Sequence, residues 1–154
     1  MNIKDRSNTF LYSFSIFLII SIFFLGTITG STSDKDIKRA EKLYMEQCSK
    51  CHRKDGKGIR RVYPPLRKAD YIKKASTIEL LRGMIYGRSG EITVNGITYN
   101  GVMTTEIDNN LSDKDIALIL TYIYQEMNNI NKTVTAEEVV AARKAGKLPP
   151  HEDH

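Results

Sequence analysis

The chain has 154 residues, which limits it to one compact domain with short appendages. Hydrophobic residues make up 41% and tryptophan is absent, so the protein's own core is expected to be modest and to need a cofactor or a covalent staple. The net charge is +5. Residues 50–74 contain ten Lys and Arg residues and two Asp residues, which gives this stretch a net charge of +8. Such a basic stretch could attract an acidic protein, nucleic acid or an anionic membrane surface, or it could simply be a solvated surface.

The first 30 residues have the composition of an export segment. Lys4 and Arg6 precede an apolar run from Phe10 to Leu25, and small residues follow, as in a secretory signal peptide. The run also approaches the roughly 20 residues of a membrane-spanning helix. Because no Ala-x-Ala cleavage site is present, an uncleaved membrane anchor is an alternative interpretation of this segment. Either way we expect the rest of the chain to lie outside the cytoplasm, in the periplasm or an equivalent compartment.

An amphipathic helix is predicted from Asp34, with Ser33 or Asp34 as its N-cap. Apolar side chains recur at three- and four-residue spacing, at Ile37, Ala40, Leu43 and Tyr44. This helix runs into the only two cysteines of the chain, which have no other cysteine to pair with.

The sequence Cys48-Ser49-Lys50-Cys51-His52 fits the C-x-x-C-H pattern of c-type haem attachment. Residues three apart on a helical turn lie on one face, so both sulfurs can form thioether bonds to one edge of a porphyrin, and His52 can ligate the iron. A thioredoxin-like redox pair would need a βαβ pattern, which is absent. A zinc site would need two further ligands, and His151 and His154 lie in a polar tail.

The sequence predicts a loop, a helix and a hairpin in the middle of the chain. A basic loop ends in Tyr63-Pro64-Pro65-Leu66, where two prolines exclude a helix. A helix is predicted from Thr77 to a stop at Gly87. Residues 91–94 and 97–99 flank Asn95-Gly96, which predicts a tight two-residue hairpin. Residues 100–103 are then expected to form a loop.

Two further helices are predicted near the end of the chain. Ser112 caps the most strongly patterned helix, which has acidic residues in its first turn. Thr135 and Glu138 form a capping-box pattern that opens a short helix to about Ala145, before Gly146 and a polar tail.

A second axial ligand to the iron would come from a methionine, and the candidates are Met45, Met84, Met103 and Met127. Met45 shares the helix that delivers His52, so it cannot reach the opposite face of the ring. Met84 and Met127 fall within predicted helices, where methionine commonly fills a core. Met103 is expected in a loop and is therefore the predicted ligand; its soft thioether favours ferrous iron.

From about Asp34 to Met127 the chain resembles the class I c-type cytochromes, especially bacterial single-haem domains that serve nitrite reductases, haem–copper oxidases and periplasmic dehydrogenases. The matching features are the helix ending in C-x-x-C-H, a proline–leucine loop about a dozen residues later, a Val-Asn-Gly…Tyr-Asn-Gly-x-Met segment, and Leu-Ser-Asp before the last major helix. The resemblance implies an all-α cytochrome c fold, with three to four helices around one covalent haem c and a small β-hairpin before the methionine ligand loop.

The resemblance also implies specific contacts. The first and last helices of such domains cross, so Ala40 and Tyr44 are expected to meet Ile119 and Tyr122. The Pro64 carbonyl is expected to accept a hydrogen bond from the His52 ring. On this basis residues 34–128 form the cytochrome c domain, and residues 129–154 form an extension with one short helix and a polar tail.

An iron with His52 on one side and Met103 on the other has no open coordination position, so the chain is expected to be an electron carrier and not an enzyme. Its expected partners are extracytoplasmic redox proteins with acidic docking surfaces, not nucleic acid, with membrane contact only through an uncleaved amino terminus. Two alternatives are a haem subunit permanently docked to a larger oxidoreductase, and a sensor or enzyme with a labile Met103. The latter is suggested by Thr104, which stands where related domains often have proline.

Overall fold

The structure is a computed structural model, and it describes residues 32–105, 107 and 110–149. The predicted export segment therefore lies outside the described residues. The elements in chain order are α1 (Asp34–Gln47), α2 (Ser49–His52), α3 (Asp70–Lys74), α4 (Thr77–Tyr86), β1 (Arg88–Val94), β2 (Ile97–Met103), α5 (Asp113–Tyr122), a π-helical turn (Ile123–Met127) and α6 (Ala136–Ala145). The predicted mainly helical fold with one small hairpin is confirmed. Within the described ranges, no helix combines the length and apolar character that crossing a bilayer requires.

Hydroxyl side chains begin four of the helices. Ser33, Ser76, Ser112 and Thr135 each accept a hydrogen bond from the backbone N–H three residues later, at distances of 3.1 to 3.3 Å. Thr135 also has the reciprocal bond from its backbone N–H to Glu138, which completes the predicted capping box. These caps satisfy N–H groups that have no partner within the helix, and they fix where each helix begins.

Helices α1 and α5 pack against each other, as the resemblance implies. The rings of Tyr44 and Tyr122 lie 5.7 Å apart between centroids, and Tyr44 is fully buried. Ala40 and Ile119 are also buried. Arg39 Nε donates to Asp115 Oδ1 at 2.7 Å, so a charged pair joins the same two helices.

The hairpin is longer than the sequence predicts. Asn95 and Gly96 have φ angles of +51° and +72°, which confirms the two-residue turn. The antiparallel register runs from Val94 opposite Ile97 to Arg88 opposite Met103. The expectation of a loop over residues 100–103 is therefore wrong, because backbone pairing with β1 extends to the methionine itself.

Two helical features differ from the prediction for local reasons. Helix α1 ends at Gln47, and after Cys48 the rest of the cysteine–histidine motif forms its own short helix, α2. Helix α3 carries no detectable periodicity because it has only five residues. Its first residue is fixed by tertiary contacts, since Asp70 and Asn95 each donate a backbone N–H to the other's side chain, at 2.9 and 2.6 Å.

Helix α6 packs against α4 and α5. Val139 and Ala142 on this helix are fully buried. The residues that follow α6 are bonded to α4, because Arg82 donates hydrogen bonds to the carbonyl oxygens of Gly146 and Lys147, both at 2.6 Å. The carboxyl-terminal helix thus belongs to the packed body that surrounds the site.

Candidate haem-binding site

His52 is held in a defined orientation inside the domain. Its side chain is buried, and Nδ1 lies 2.9 Å from the carbonyl oxygen of Pro64. A carbonyl oxygen can only accept, so Nδ1 carries the proton and the lone pair lies on Nε2. Burial lowers the pKa of His52, and the bond to Pro64 opposes that shift only in part. The imidazole is therefore neutral at neutral pH and has Nε2 available for a metal ion.

The carbonyl of Pro64 reaches His52 because Gly58 leaves room for it. Gly58 has φ +63°, and a Cβ atom built there would lie 2.2 Å from the Tyr63 oxygen and 2.6 Å from the Pro64 oxygen. The backbone N–H of Gly58 also donates to the carbonyl of His52 at 3.0 Å. Gly58 thus closes the loop that carries the histidine's partner. The sequence alone does not reveal this role, because it shows only a glycine within a basic loop.

Cys48 and Cys51 are free thiols on one helical turn, and both are partly buried. Burial, with a smaller contribution from Cys51, raises the pKa of the Cys48 thiol to about 12. A redox-active dithiol needs a thiolate of low pKa, so this environment does not suit thiol–disulfide exchange. Across the described ranges, no group of three or more His, Cys, Asp or Glu side chains could hold a metal ion on its own. The raised pKa of the Cys48 thiol therefore argues against the redox-pair interpretation, whereas His151 and His154, which a zinc site would need, lie outside the described residues.

A large cavity opens beside these three residues. About 980 Å³ of space not occupied by atoms lies within it, counting the part that opens to solvent. Cys48, Cys51, His52 and Met103 all line it. Much of the remaining wall is apolar and comes from α4, β1 and α5 with its π-helical turn, including Leu80, Ile92, Leu120 and Ile123. Two thiols, an imidazole with its Nε2 lone pair and an apolar slot fit a covalently attached porphyrin.

Two of the four candidate methionines line this cavity, namely Met103 and Met84. Met103 ends β2 and is 40% exposed. Its position depends on Gly87, since a Cβ atom on Gly87 would lie 2.3 Å from the Met103 carbonyl oxygen. Met127 is buried instead, and a Cβ atom on Gly56 would lie 2.9 Å from its sulfur. The structure therefore brings Met103 to the cavity with His52, and adds Met84, which the sequence indicated only as core.

A polar cluster on the cavity wall was not found from the sequence. Tyr71, Glu79 and Arg88 all line the cavity. The Tyr71 hydroxyl donates to Glu79 Oε1, and Arg88 Nη1 lies 3.2 Å from the same oxygen. The Arg88 guanidinium carbon lies 5.0 Å from the centre of the Tyr71 ring. No motif marks these residues, because they come from three different elements; the one local signal is an arginine directly after the helix-ending Gly87.

Comparison with known proteins agrees with this geometry. The sequence model of the family Cytochrome c matches residues 37–126. The chain is 37% identical over 119 residues to cytochrome c-552 of Thermus thermophilus, covering 72% of this chain and 88% of that protein. It is 28% identical over 109 residues to the fructose dehydrogenase cytochrome subunit of Gluconobacter japonicus, covering 70% of this chain and 22% of the subunit. It is 26% identical over 106 residues to the cytochrome c subunit of a quinone alcohol dehydrogenase from Gluconobacter oxydans, covering 68% of this chain and 22% of that subunit.

Proposed function

The chain belongs to the cytochrome c family, so it is an electron carrier with covalently bound haem c and not itself an enzyme, and on this premise we propose how its own residues serve that function. Cys48 and Cys51 hold the porphyrin through thioether bonds. His52, through Nε2, and Met103, through its sulfur, would ligate the iron. The observation that supports this assignment is the single cavity lined by all four side chains.

The protein's part in electron transfer is to hold geometry and exclude water. When bound, the haem supplies the one-electron Fe(II)/Fe(III) couple. The Pro64 carbonyl keeps the His52 ring in one orientation and makes its Nε2 a stronger donor to the metal. With His52 and Met103 both serving as ligands, these residues would leave the iron no free position for a substrate, which suits a carrier that only transfers electrons. The apolar walls favour the reduced state, which carries one less positive charge.

The sixth ligand can be tested with a matched pair of cavity methionines. In the oxidised protein we expect a weak near-infrared charge-transfer band from iron–methionine ligation. Met103→Ala is expected to abolish this band, and Met84→Ala, which removes the same side chain from another part of the cavity wall, is expected to keep it. A pyridine haemochrome assay on each variant checks that one covalent haem per chain is still present. Loss of the band only in Met84→Ala would contradict the assignment.

We further propose that the protein works outside the cytoplasm and meets partners with acidic docking surfaces. Arg60 and Arg61 are exposed in the basic loop, beside exposed Val62 and Tyr63, which line a second pocket that Cys51, His52 and Met103 also line. A positive field around an apolar opening steers an acidic partner toward the cofactor. Weak redox complexes bury less than about 1,200 Å² and depend on such steering.

Oxidation by ferricyanide, a small trivalent anion, tests this surface without a known partner. We expect the rate constant of the ferrous protein to fall with rising salt, and to fall severalfold at low salt in Arg60→Glu/Arg61→Glu. Lys38→Glu/Lys144→Glu, with the same change of four charges on α1 and α6, is the control and is expected to have a smaller effect. Equal slowing in both variants would mean that net charge, and not this face, guides the encounter.

A second candidate function is that of a haem subunit held permanently by a larger oxidoreductase. The similarity to dehydrogenase cytochrome subunits favours it. The chemistry at the haem would be unchanged, and only the lifetime of the complex differs. Size-exclusion chromatography of the protein from its native source separates the two, since a mobile carrier elutes as a small haemoprotein and a subunit elutes with dehydrogenase activity.

A further inference from the structure

Asn128, directly after the π-helical turn, is a buried residue whose side-chain amide binds backbone groups at both of its ends. Its Nδ2 donates to the carbonyl oxygens of Leu66 at 2.7 Å and Ile123 at 2.8 Å. Its Oδ1 accepts from the backbone N–H of Ala69 at 3.0 Å. Because carbonyl oxygens only accept and an N–H only donates, these partners fix the orientation of the amide. One side chain thus joins residues 66–69 to the π-helical turn.

Both carbonyls that Asn128 binds belong to residues of the cavity wall. Leu66 and Ile123 line the cavity, and so do Pro64 and Pro65, which precede Leu66 in the chain. Asn128 is not one of the lining residues, so it acts from behind the wall. Its amide therefore fixes the spacing between two parts of the wall that are far apart in the sequence.

The π-helical turn explains how one side chain can reach both parts. In a π-helix each N–H donates to the carbonyl five residues earlier, so the backbone N–H of Asn128 would occupy the Ile123 carbonyl. Here that N–H donates to the Gln125 carbonyl instead, and the Asn128 side chain binds the Ile123 carbonyl. The same residue therefore ends the turn and holds the loop.

The bond to Leu66 reaches His52 through two prolines. Proline fixes φ near −65°, so Pro64 and Pro65 leave the backbone between Leu66 and the Pro64 carbonyl little freedom. Leu66 is held through both of its backbone groups, since its N–H donates to the Gly56 carbonyl at 2.8 Å and its carbonyl accepts from the buried amide. The Pro64 carbonyl in turn accepts from His52 Nδ1 at 2.9 Å.

We propose that Asn128 is a positioning residue for His52, because it keeps the Pro64 carbonyl aligned with the imidazole from behind the cavity wall. The inference rests on His52 as the iron ligand, as proposed above. A carbonyl held at hydrogen-bond distance makes Nε2 a stronger donor to the metal, and a stronger donor favours the ferric state. A carbonyl that is free to move weakens this bond, so the equilibrium shifts toward the ferrous protein.

The first test compares Asn128→Leu with Thr121→Val. Leucine is branched at Cγ as asparagine is, so it keeps the shape of the side chain and removes its hydrogen bonds. The control removes the buried Thr121 hydroxyl of α5, which accepts from the Val134 N–H at 2.9 Å and does not line the cavity. Both variants are expected to be less stable than the wild type, because each leaves a buried backbone group without its partner.

Only Asn128→Leu is expected to change the His52 ring. By NMR of the ferrous protein, we expect the 15N shift of Nδ1 to move and its proton to exchange with water severalfold faster. The equilibrium with a redox dye is expected to shift about threefold toward the ferrous protein, where tenfold is 59 mV for one electron. An unmoved Nδ1 signal, a dye shift toward the ferric protein, or equal changes in Thr121→Val would overturn the proposal.

A pyridine haemochrome assay distinguishes failure of this proposal from failure of the haem assignment. Wild-type protein without covalent haem would overturn both. A full complement of haem with an unmoved His52 signal in Asn128→Leu would overturn the role of Asn128 alone.

If Asn128→Leu does not fold, hydrogen exchange of the wild-type ferrous protein decides. Local openings of a native protein expose protons in groups that share one opening free energy. We expect the His52 Nδ1 proton and the Ala69 amide proton, which Asn128 accepts, to have equal opening free energies at each urea concentration. Unequal values would overturn the proposal, because the bond of the histidine would then open independently of the buried amide.

Discussion

The residues around His52 are positioned by contacts between residues that are far apart in the sequence. The histidine itself was identified from five consecutive letters, because thioether attachment requires a fixed spacing on one helical turn. The role of Gly58 was not identified from the sequence, because it comes from the close approach of the Tyr63 and Pro64 carbonyls, which only the folded loop reveals. The same holds for Arg88, whose partners Tyr71 and Glu79 lie on separate helices. Chemistry carried by a local motif was predictable, and its supporting contacts were not.

Gly58→Ala is expected to destabilise the protein far more than a comparable change at Gly96. Both glycines have positive φ, +63° and +72°, so an alanine at either site costs about 1–2 kcal/mol in backbone strain. At Gly58 the added Cβ also meets two carbonyl oxygens, whereas at Gly96 nothing lies within 4 Å. We expect a further loss of about 1–3 kcal/mol from this overpacking. Guanidinium unfolding of both variants, followed by haem absorbance, measures the difference; equal losses would show that the loop moves aside freely.

At the scale of helices and strands, the sequence predicted most elements because their ends carry chemical signals. Serine and threonine caps, the glycines at 87 and 146, and the Asn95-Gly96 turn all act locally, and the structure has each of them. Helix α3 and the outer half of the hairpin were missed for a common reason. Helix α3 is held by the two hydrogen bonds between Asp70 and Asn95, and the outer half of the hairpin by backbone pairing. Neither kind of contact leaves a local pattern of side chains in the sequence.

Helix α6 offers a test of whether it stabilises the domain. Val139 is fully buried against the domain, and its neighbour Val140 is 39% exposed. Val→Ala raises helix propensity equally at both positions, so the difference isolates burial. We expect Val139→Ala to lower the free energy of unfolding by about 1.5–3 kcal/mol and Val140→Ala to change it by less than about 0.5 kcal/mol. Urea denaturation of the holoprotein is the measurement. A negligible effect at Val139 would mean that α6 unfolds separately from the domain.

On the scale of the whole molecule, the cavity adjoins the buried core, since Leu80, Leu120 and Ile123 belong to the core and also line the cavity. The apolar walls of the cavity come from α4, β1, α5 and the π-helical turn, so these elements meet one another across it. The absence of tryptophan and the modest apolar content led to the expectation that a cofactor supplements the core. The sequence did not reveal the dimensions of the cavity, which depend on how the helices cross.

Removal of the haem is therefore expected to cost the protein its cooperative fold. Domains of this kind are stable by about 5–15 kcal/mol, and an apolar cavity of this size must either collapse or fill with water, both at a large cost. We expect Cys48→Ser/Cys51→Ser, isolated without haem, to show much weaker helical circular dichroism than the holoprotein and no sigmoidal thermal transition. A sharp transition at a similar temperature would mean that protein packing alone holds the fold.

The pairing of Arg88 with Met103 means that the hairpin register sets the position of the proposed iron ligand. Residues added at the Asn95-Gly96 tip would lengthen the turn and leave every rung below it unchanged. A single residue deleted between Tyr99 and Val102 would instead reverse which way Met103 points, since neighbouring positions on a strand face opposite sides. We therefore expect this protein to tolerate an insertion at the tip of the hairpin, whereas the proposed role of Met103 requires a fixed number of residues along the second strand.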